Sequence, residues 1–232
     1  GDNARARVHY SAPQKEGGFM KKNYKSTVNA CFAGYVVQAI VNNFVPLLFL
    51  TFNKSYGIEL SKITALITVN FILQLCIDFL SAFFIDKIGY RAAAIMAHVF
   101  AAAGLVSLTV LPEILPSPFV GLLISVVLYA VGGGLLEVIV SPIVEACPTD
   151  NKEKMMSLLH SFYCWGSVAV VGISTLYFSI FTTANWKYLA LIWAVVPIVN
   201  ALNFIRVPIA PLIEEGETGL SFKQLIGNRI FW

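Results

Sequence analysis

Six long stretches nearly free of charge dominate this sequence, and they decide what it can fold into. They run approximately Val28–Phe52, Ile63–Ile85, Ala92–Leu111, Phe119–Val144, Met156–Phe181 and Trp186–Val207. A bilayer core of roughly 30 Å takes about 20 apolar residues in a helix, so each stretch is long enough to span. Lipid cannot satisfy an open backbone, and the stretches lack the apolar–polar alternation of a barrel strand, which leaves helix. Composition agrees: 57% of the chain is hydrophobic and 12% charged, against about 25% charged in an ordinary soluble domain. Mean hydropathy is +0.74. The expectation is an all-α membrane protein built as a six-helix bundle.

What the polar remainder lacks excludes several function classes. The net charge of +3 comes with no basic run interleaved with aromatics, so nucleic acid is not expected as a partner. Cys31, Cys76, Cys147 and Cys164 show no CxxC spacing and read as small buried hydrophobes. No His/Cys/carboxylate spacing suggests a metal, and no Gly-rich loop follows a strand. The loops are too short and bare for an enzyme's nucleophile or metal ligands. No cofactor is expected.

The two ends carry their own signals. Residues 1–19 hold no apolar core of signal-peptide length. Lys15-Glu16-Gly17-Gly18 can be encoded by a ribosome-binding sequence just ahead of Met20, so 1–19 reads as a spurious leader, or else as a disordered tail. Residues 208–228, with Pro208, Pro211, Glu214, Glu215 and Glu217, read as a linker. Residues 229–232 (Arg229-Ile230-Phe231-Trp232) read as the start of a truncated seventh helix. The domain expected between them covers 20–207. Loop charge sets the orientation. With the amino terminus inside, the cytoplasmic segments carry Lys21, Lys22, Lys25, Lys87, Arg91, Lys152, Lys154, Arg206, Lys223 and Arg229. The outer loops carry only Lys54, Lys62 and Lys187, which favours both termini in the cytoplasm.

Between the second and third stretches stands Asp86-Lys87-Ile88-Gly89-Tyr90-Arg91, with the small Ala82 four residues earlier. A carboxylate and two cations at helix ends can form ion pairs that one conformation makes and another breaks, and Gly89 permits a tight turn. In sequence and in position this resembles the loop signature of the major facilitator superfamily of transporters. Gly132-Gly133-Gly134-Leu135-Leu136-Glu137, then Ser141-Pro142, resembles the fourth helix of the fucose permease type of sugar–proton symporter. Leu158-Leu159-His160-Ser161-Phe162 and Gly166 resemble the opening of its fifth. Ser141 stands where that group has asparagine, and the first stretch has Asn42-Asn43 without its aspartate. The resemblance implies one half of a twelve-helix fold, a second six-helix half as partner, and a bacterial cytoplasmic membrane as location.

Polar groups inside the stretches are the candidate site. Glu137 leads, because a carboxylate in a span costs about 3 kcal/mol and needs a partner, a cavity or a proton. The alternative is a structural glutamate that fixes packing. Asn70, Gln74 and Asp78 recur every four residues and so share one face of the second helix. They serve a cavity or interhelical hydrogen bonds, and Asp78 could instead pair with Arg91. Gln38 and Asn42 share a face of the first helix with Tyr35, while Asn43 adjoins them and Pro46 offers a bend. His160 and Tyr163 lie together near the cytoplasmic end of the fifth, where His160 could shuttle protons or merely hydrogen-bond. His98, alone among alanines, reads as packing. The expected function is secondary active transport of a small polar solute, such as a sugar, coupled to protons. The alternatives are an exporter of drugs or metabolites and a non-transporting scaffold or receptor.

Overall fold

In a computed structural model the chain is described over residues 24–149 and 151–212. Among these, six helical spans run antiparallel in sequence order. The first is broken: α1 (Lys25–Asn43) leads through a 3-10 turn at Val45–Leu48 into α2 (Phe49–Tyr56). Pro46 sits in that turn and cannot donate a hydrogen bond to the preceding helix, so the predicted bend is where the imide removes the ladder. There follow α3 (Leu60–Ile88), α4 (Tyr90–Ile114), α5 (Pro118–Ala146), α6 (Lys152–Phe181) and α7 (Trp186–Arg206). Each apolar stretch read from the sequence corresponds to one span of membrane-crossing length and composition. The leader and the seventh-helix start lie outside the described residues, as does the linker beyond Leu212.

The turns are short because their residues allow it. Gly89 alone separates α3 from α4 and has φ +82°, a backbone that glycine adopts without steric cost. Pro118 opens α5, where a missing N–H is harmless. Asn151 caps α6, its side-chain oxygen accepting from the Lys154 amide at 2.8 Å.

Lipid removes the hydrophobic incentive for helices to associate, so close van der Waals approach has to hold the bundle. Glycines supply it along α4 and α5. A Cβ on Gly104 would lie 2.5 Å from the Tyr129 amide nitrogen, one on Gly121 2.5 Å from that of Pro112, and one on Gly132 2.6 Å from that of Ala101. These three crossings follow one unbroken antiparallel register along the helices. The same stretch of α5 meets α3, where a Cβ on Gly134 would lie 2.9 Å from Ile77 Cβ. On the other side of α1, a Cβ on Gly166 of α6 would lie 3.1 Å from Ala39 Cβ. Span four is therefore the most enclosed, with 61% of its central window buried. α3 and α6 keep apolar outer faces, including Ile72, Phe79 and Leu80 on α3 and Trp165 and Val168 on α6.

Candidate functional site

Four helices, α1, α3, α5 and α6, leave between them a cavity of about 360 Å³. Its lining is Tyr35, Gln38 and Asn42 from α1, Phe71, Gln74, Leu75 and Asp78 from α3, Glu137 from α5, and His160 and Tyr163 from α6. Helical spacing puts them there. Gln38 and Asn42 are four apart, as are Phe71 and Leu75, Gln74 and Asp78, so each set shares a stripe. The close α3–α5 approach at Gly133 and Gly134 then sets the register across the helices. Both helices run in the same direction, so the turn after Gln74, which holds Asp78, faces the turn after Gly133, which holds Glu137.

Glu137 is held by one contact. Gln38 Nε2 donates to its Oε2 at 3.1 Å. The sequence reading placed this carboxylate inside a span, and it is there, but more than a third of its surface is open rather than buried. The reason is the gap between α3 and α6, which leaves that side of α5 uncovered. A turn later on α5, Ser141 Oγ lies 2.9 Å from the Tyr35 hydroxyl.

Amides join the floor of the cavity. Asn42 Oδ1 accepts from Gln74 Nε2 at 2.8 Å and from Asn70 Nδ2 at 3.2 Å, and Gln74 Nε2 also reaches Asn70 Oδ1 at 3.0 Å. Asn42 Nδ2 in turn donates to the Tyr163 hydroxyl at 3.3 Å. Tyr35 rests against both His160 and Tyr163, with ring centroids 5.6 and 6.2 Å away. Asp78 differs from all of these. It lines the cavity half-buried, and its Oδ1 is cut off from solvent without a hydrogen-bond partner among the described residues.

Of the nine intramembrane site residues expected from the sequence, Glu137, Asp78, Gln38, Asn42, Gln74, His160 and Tyr163 line this one cavity. Asn70 lies behind it, buried and bonded to Asn42 and Gln74. Asn43 does not join it. One residue on from Asn42 it has turned about 100° round the helix. Its Nδ2 donates to Ala39 O at 2.8 Å and to Ser167 Oγ at 3.1 Å, fastening α1 to α6. The suggested Asp78–Arg91 pair is not formed. Arg91 Nη1 instead donates to the carbonyls of Phe204 and Ile205 at 2.7 and 3.0 Å. Those carbonyls end α7 and have no helical partner of their own, so a cation there is favoured twice over. Among the described residues the one salt bridge joins Lys187 to Glu113, far from Asp86, Lys87 and Arg91. Phe71 and Leu75 went unread although they share the helical spacing of the polar stripe beside them.

His98 is a core residue, as its alanine surroundings suggested. Its Nδ1 lies 2.7 Å from Ala94 O, and its Nε2 lies 2.8 Å from Asn200 Nδ2. The same Asn200 nitrogen donates to Ala30 O at 2.9 Å. A carbonyl can only accept, so Nδ1 carries the hydrogen and Nε2 accepts from Asn200. One neutral imidazole thereby joins α1, α4 and α7. Asn200, the polar residue that completes this cluster, was not singled out; it follows a long apolar run in α7, three residues before Asn203.

The sequence matches the family model described as Major Facilitator Superfamily over residues 30–232. No curated protein matches it. Among solved structures the fold is similar to an inward-open conformation of the xylose transporter XylE from E. coli, with TM-score 0.72 and 15% identity, covering 82% of this chain and 49% of that one. It is similar also to the proton:xylose symporter XylE bound to 6-bromo-6-deoxy-D-glucose, with TM-score 0.68 and 13% identity over 80% of this chain and 45% of that. A D-xylose-proton symporter structure gives 0.67 and 17% over 80% and 48%. The chain thus spans about half the length of these transporters. At such identities the likeness speaks for the fold, and the family match over most of the sequence speaks for descent. The chain, a multi-pass helical membrane protein, belongs to the Major Facilitator Superfamily.

Proposed function

We propose that this chain forms one wall of the solute pathway in a proton-coupled secondary transporter, moving a small polar solute of the sugar type by alternating access. The observation that carries the reading is the cavity: Glu137 opens into it from within the fourth span, held by a single amide donor among the described residues. A carboxylate so placed is costly unless it has work to do, and taking up and releasing a proton is work that this group can perform. Eight of the ten lining residues are polar, and only Phe71 and Leu75 are apolar. That balance favours a hydrophilic solute over the lipophilic cargo of a drug exporter. An open cavity also argues against a scaffold. The solved structures of similar fold are described as xylose transporters, which supports the sugar class.

In this reading the apolar outer faces of α3 and α6 meet a second six-helix half, related by an axis along the membrane normal, with the solute between the halves. The protein sits in a bacterial cytoplasmic membrane with both termini inside. Asp86, Lys87, Gly89 and Arg91 form the conformational loop, and residues 208–228 link the halves.

The test is uptake against a gradient by the full-length protein, with and without a proton gradient, at matched membrane levels. Glu137→Gln keeps shape and hydrogen bonding but cannot change charge. We expect it to abolish proton-driven accumulation and to spare exchange of solute down its own gradient. Full accumulation by Glu137→Gln would remove Glu137 from the coupling.

A further inference from the structure

The donors and acceptors around the cavity are unequally employed. Each of its three amides has its nitrogen turned onto the protein: Gln38 onto Glu137, Gln74 onto Asn42 and Asn70, Asn42 onto Tyr163. The two carboxylates are acceptors only. Among the described residues, Glu137 receives one hydrogen bond and the buried Asp78 Oδ1 none. No described lysine or arginine lines the space. The lining group that could carry positive charge is His160, on α6, and the other titratable neighbours are the phenols of Tyr35 and Tyr163. Two carboxylates with no described lysine or arginine beside them make the wall electronegative to whatever enters it. A carboxylate short of donors away from bulk water is unfavourable, and a ligand that hydrogen-bonds the part of the half-buried Asp78 lining the cavity relieves that cost.

Resting on the transport reading above, we infer that Asp78 anchors the solute by accepting a hydroxyl or ammonium hydrogen, so that neutral polyols and amino-polyols are admitted and carboxylated or phosphorylated ones rejected. This separates the roles of the two carboxylates. Glu137, with its amide partner, serves the proton. Asp78, on a neighbouring helix and with its Oδ1 lacking a partner among the described residues, serves the solute. An anion would face two carboxylates with no described lysine or arginine beside them.

Charge selection can be read without knowing the solute. In the full-length protein with Cys31, Cys76, Cys147 and Cys164 of this chain, and any cysteines beyond it, replaced, Leu75→Cys places a thiol on the lining. We expect a cationic methanethiosulfonate to modify it at least tenfold faster than an anionic one of similar size, relative to the same ratio at the exposed Ser55→Cys. Adding Asp78→Asn should lower that preference at least threefold, at pH 8 as at pH 6.5, and Asp78→Glu should restore most of it. A ratio no higher than at Ser55→Cys, or one unmoved by Asp78→Asn, overturns the inference.

The second arm uses monosaccharides of matched size. A neutral hexose and its amino derivative should compete for uptake at least tenfold better than the matching hexuronate or hexose 6-phosphate. Asp78→Asn should raise KM for the neutral sugar while proton-driven accumulation persists at saturating solute. Equal competition by the anionic sugars sinks the proposal, as does loss of proton coupling with KM unchanged. Failure of the transport reading looks different: no sugar accumulates at all, while the charge preference at Leu75→Cys still stands.

Discussion

Two polar clusters lie inside the membrane-spanning part of this protein, and they are built to opposite ends. Around His98 every polar atom is matched. The imidazole meets Ala94 O and Asn200, Asn200 meets Ala30 O, and both residues are buried within 2% of complete. Around Glu137 the matching stops short among the described residues, with an open carboxylate on one donor and the Oδ1 of a second on none. The first cluster is finished within the chain. The second is left unfinished by the described residues. A polar residue in a span therefore signals function through the hydrogen bonds it still lacks, more than through its presence there.

That contrast can be broken by mutation, and the largest effect belongs to the sealed cluster. Asn200→Leu leaves His98 Nε2 without its donor in a dry interior and strips Ala30 O of the donor it has beyond its helical one. Leaving the buried ring nitrogen unpaired costs about 1–3 kcal/mol, so folded protein in detergent should fall several-fold and its melting temperature should drop clearly. An Asn200→Leu variant as thermostable as the parent would mean that the cluster contributes nothing to holding α1, α4 and α7.

Glu137→Gln should behave in the reverse way. The partner amide of Gln38 can still bond to a glutamine oxygen, so stability should change by less than about 1 kcal/mol while proton-driven accumulation is lost. Measuring melting and transport on the same two variants sharpens the comparison, since each should fail the assay that the other passes. If Glu137→Gln melts as early as Asn200→Leu, the open cluster is structural after all.

Arg91→Met removes the cation from the α7 carbonyls and keeps the side-chain length. The expected loss is about 1 kcal/mol, seen as faster amide exchange confined to the last turn of α7. Unchanged exchange at Phe204–Arg206 would show that water replaces the guanidinium without penalty.

Smallest should be Asn43→Ala, which deletes the contact to Ser167 across α1 and α6. Interhelical hydrogen bonds in membranes average about 0.6 kcal/mol, so a modest fall in melting temperature is expected and solute KM should hold. A large KM change would bring Asn43 back into the site from which its geometry removes it.

The broad fold was legible because lipid leaves a chain few choices. Charge-poor stretches of sufficient length must become helices, and Gly89 between two of them announced the one-residue turn that φ +82° now accounts for. Much of the cavity was legible for a related reason. Polar residues in a span avoid lipid, and their spacing of four gathers them on one face, as for Gln38 with Asn42 and Gln74 with Asp78. What misled was adjacency. Asn42 and Asn43 read as a pair, yet a single helical step sends one to the cavity and the other to Ser167. Pairing across a short loop was one of two readings for Asp78 with Arg91, yet Arg91 bonds to carbonyls more than a hundred residues away in sequence.

By itself, then, the sequence determined the number of spans, the places where they bend and turn, and the stripe on each helix that must avoid lipid. Those follow from local physics, namely backbone hydrogen bonding, proline and glycine geometry, and helical periodicity. Which stripes meet was decided by tertiary packing. The glycine register of α4 on α5 and of α5 on α3 set Glu137 opposite Asp78, and the turn of α7 toward α1 and α4 sealed His98 with Asn200. No sequence pattern distinguishes those two outcomes, because whether a polar group is satisfied depends on atoms brought to it from distant helices.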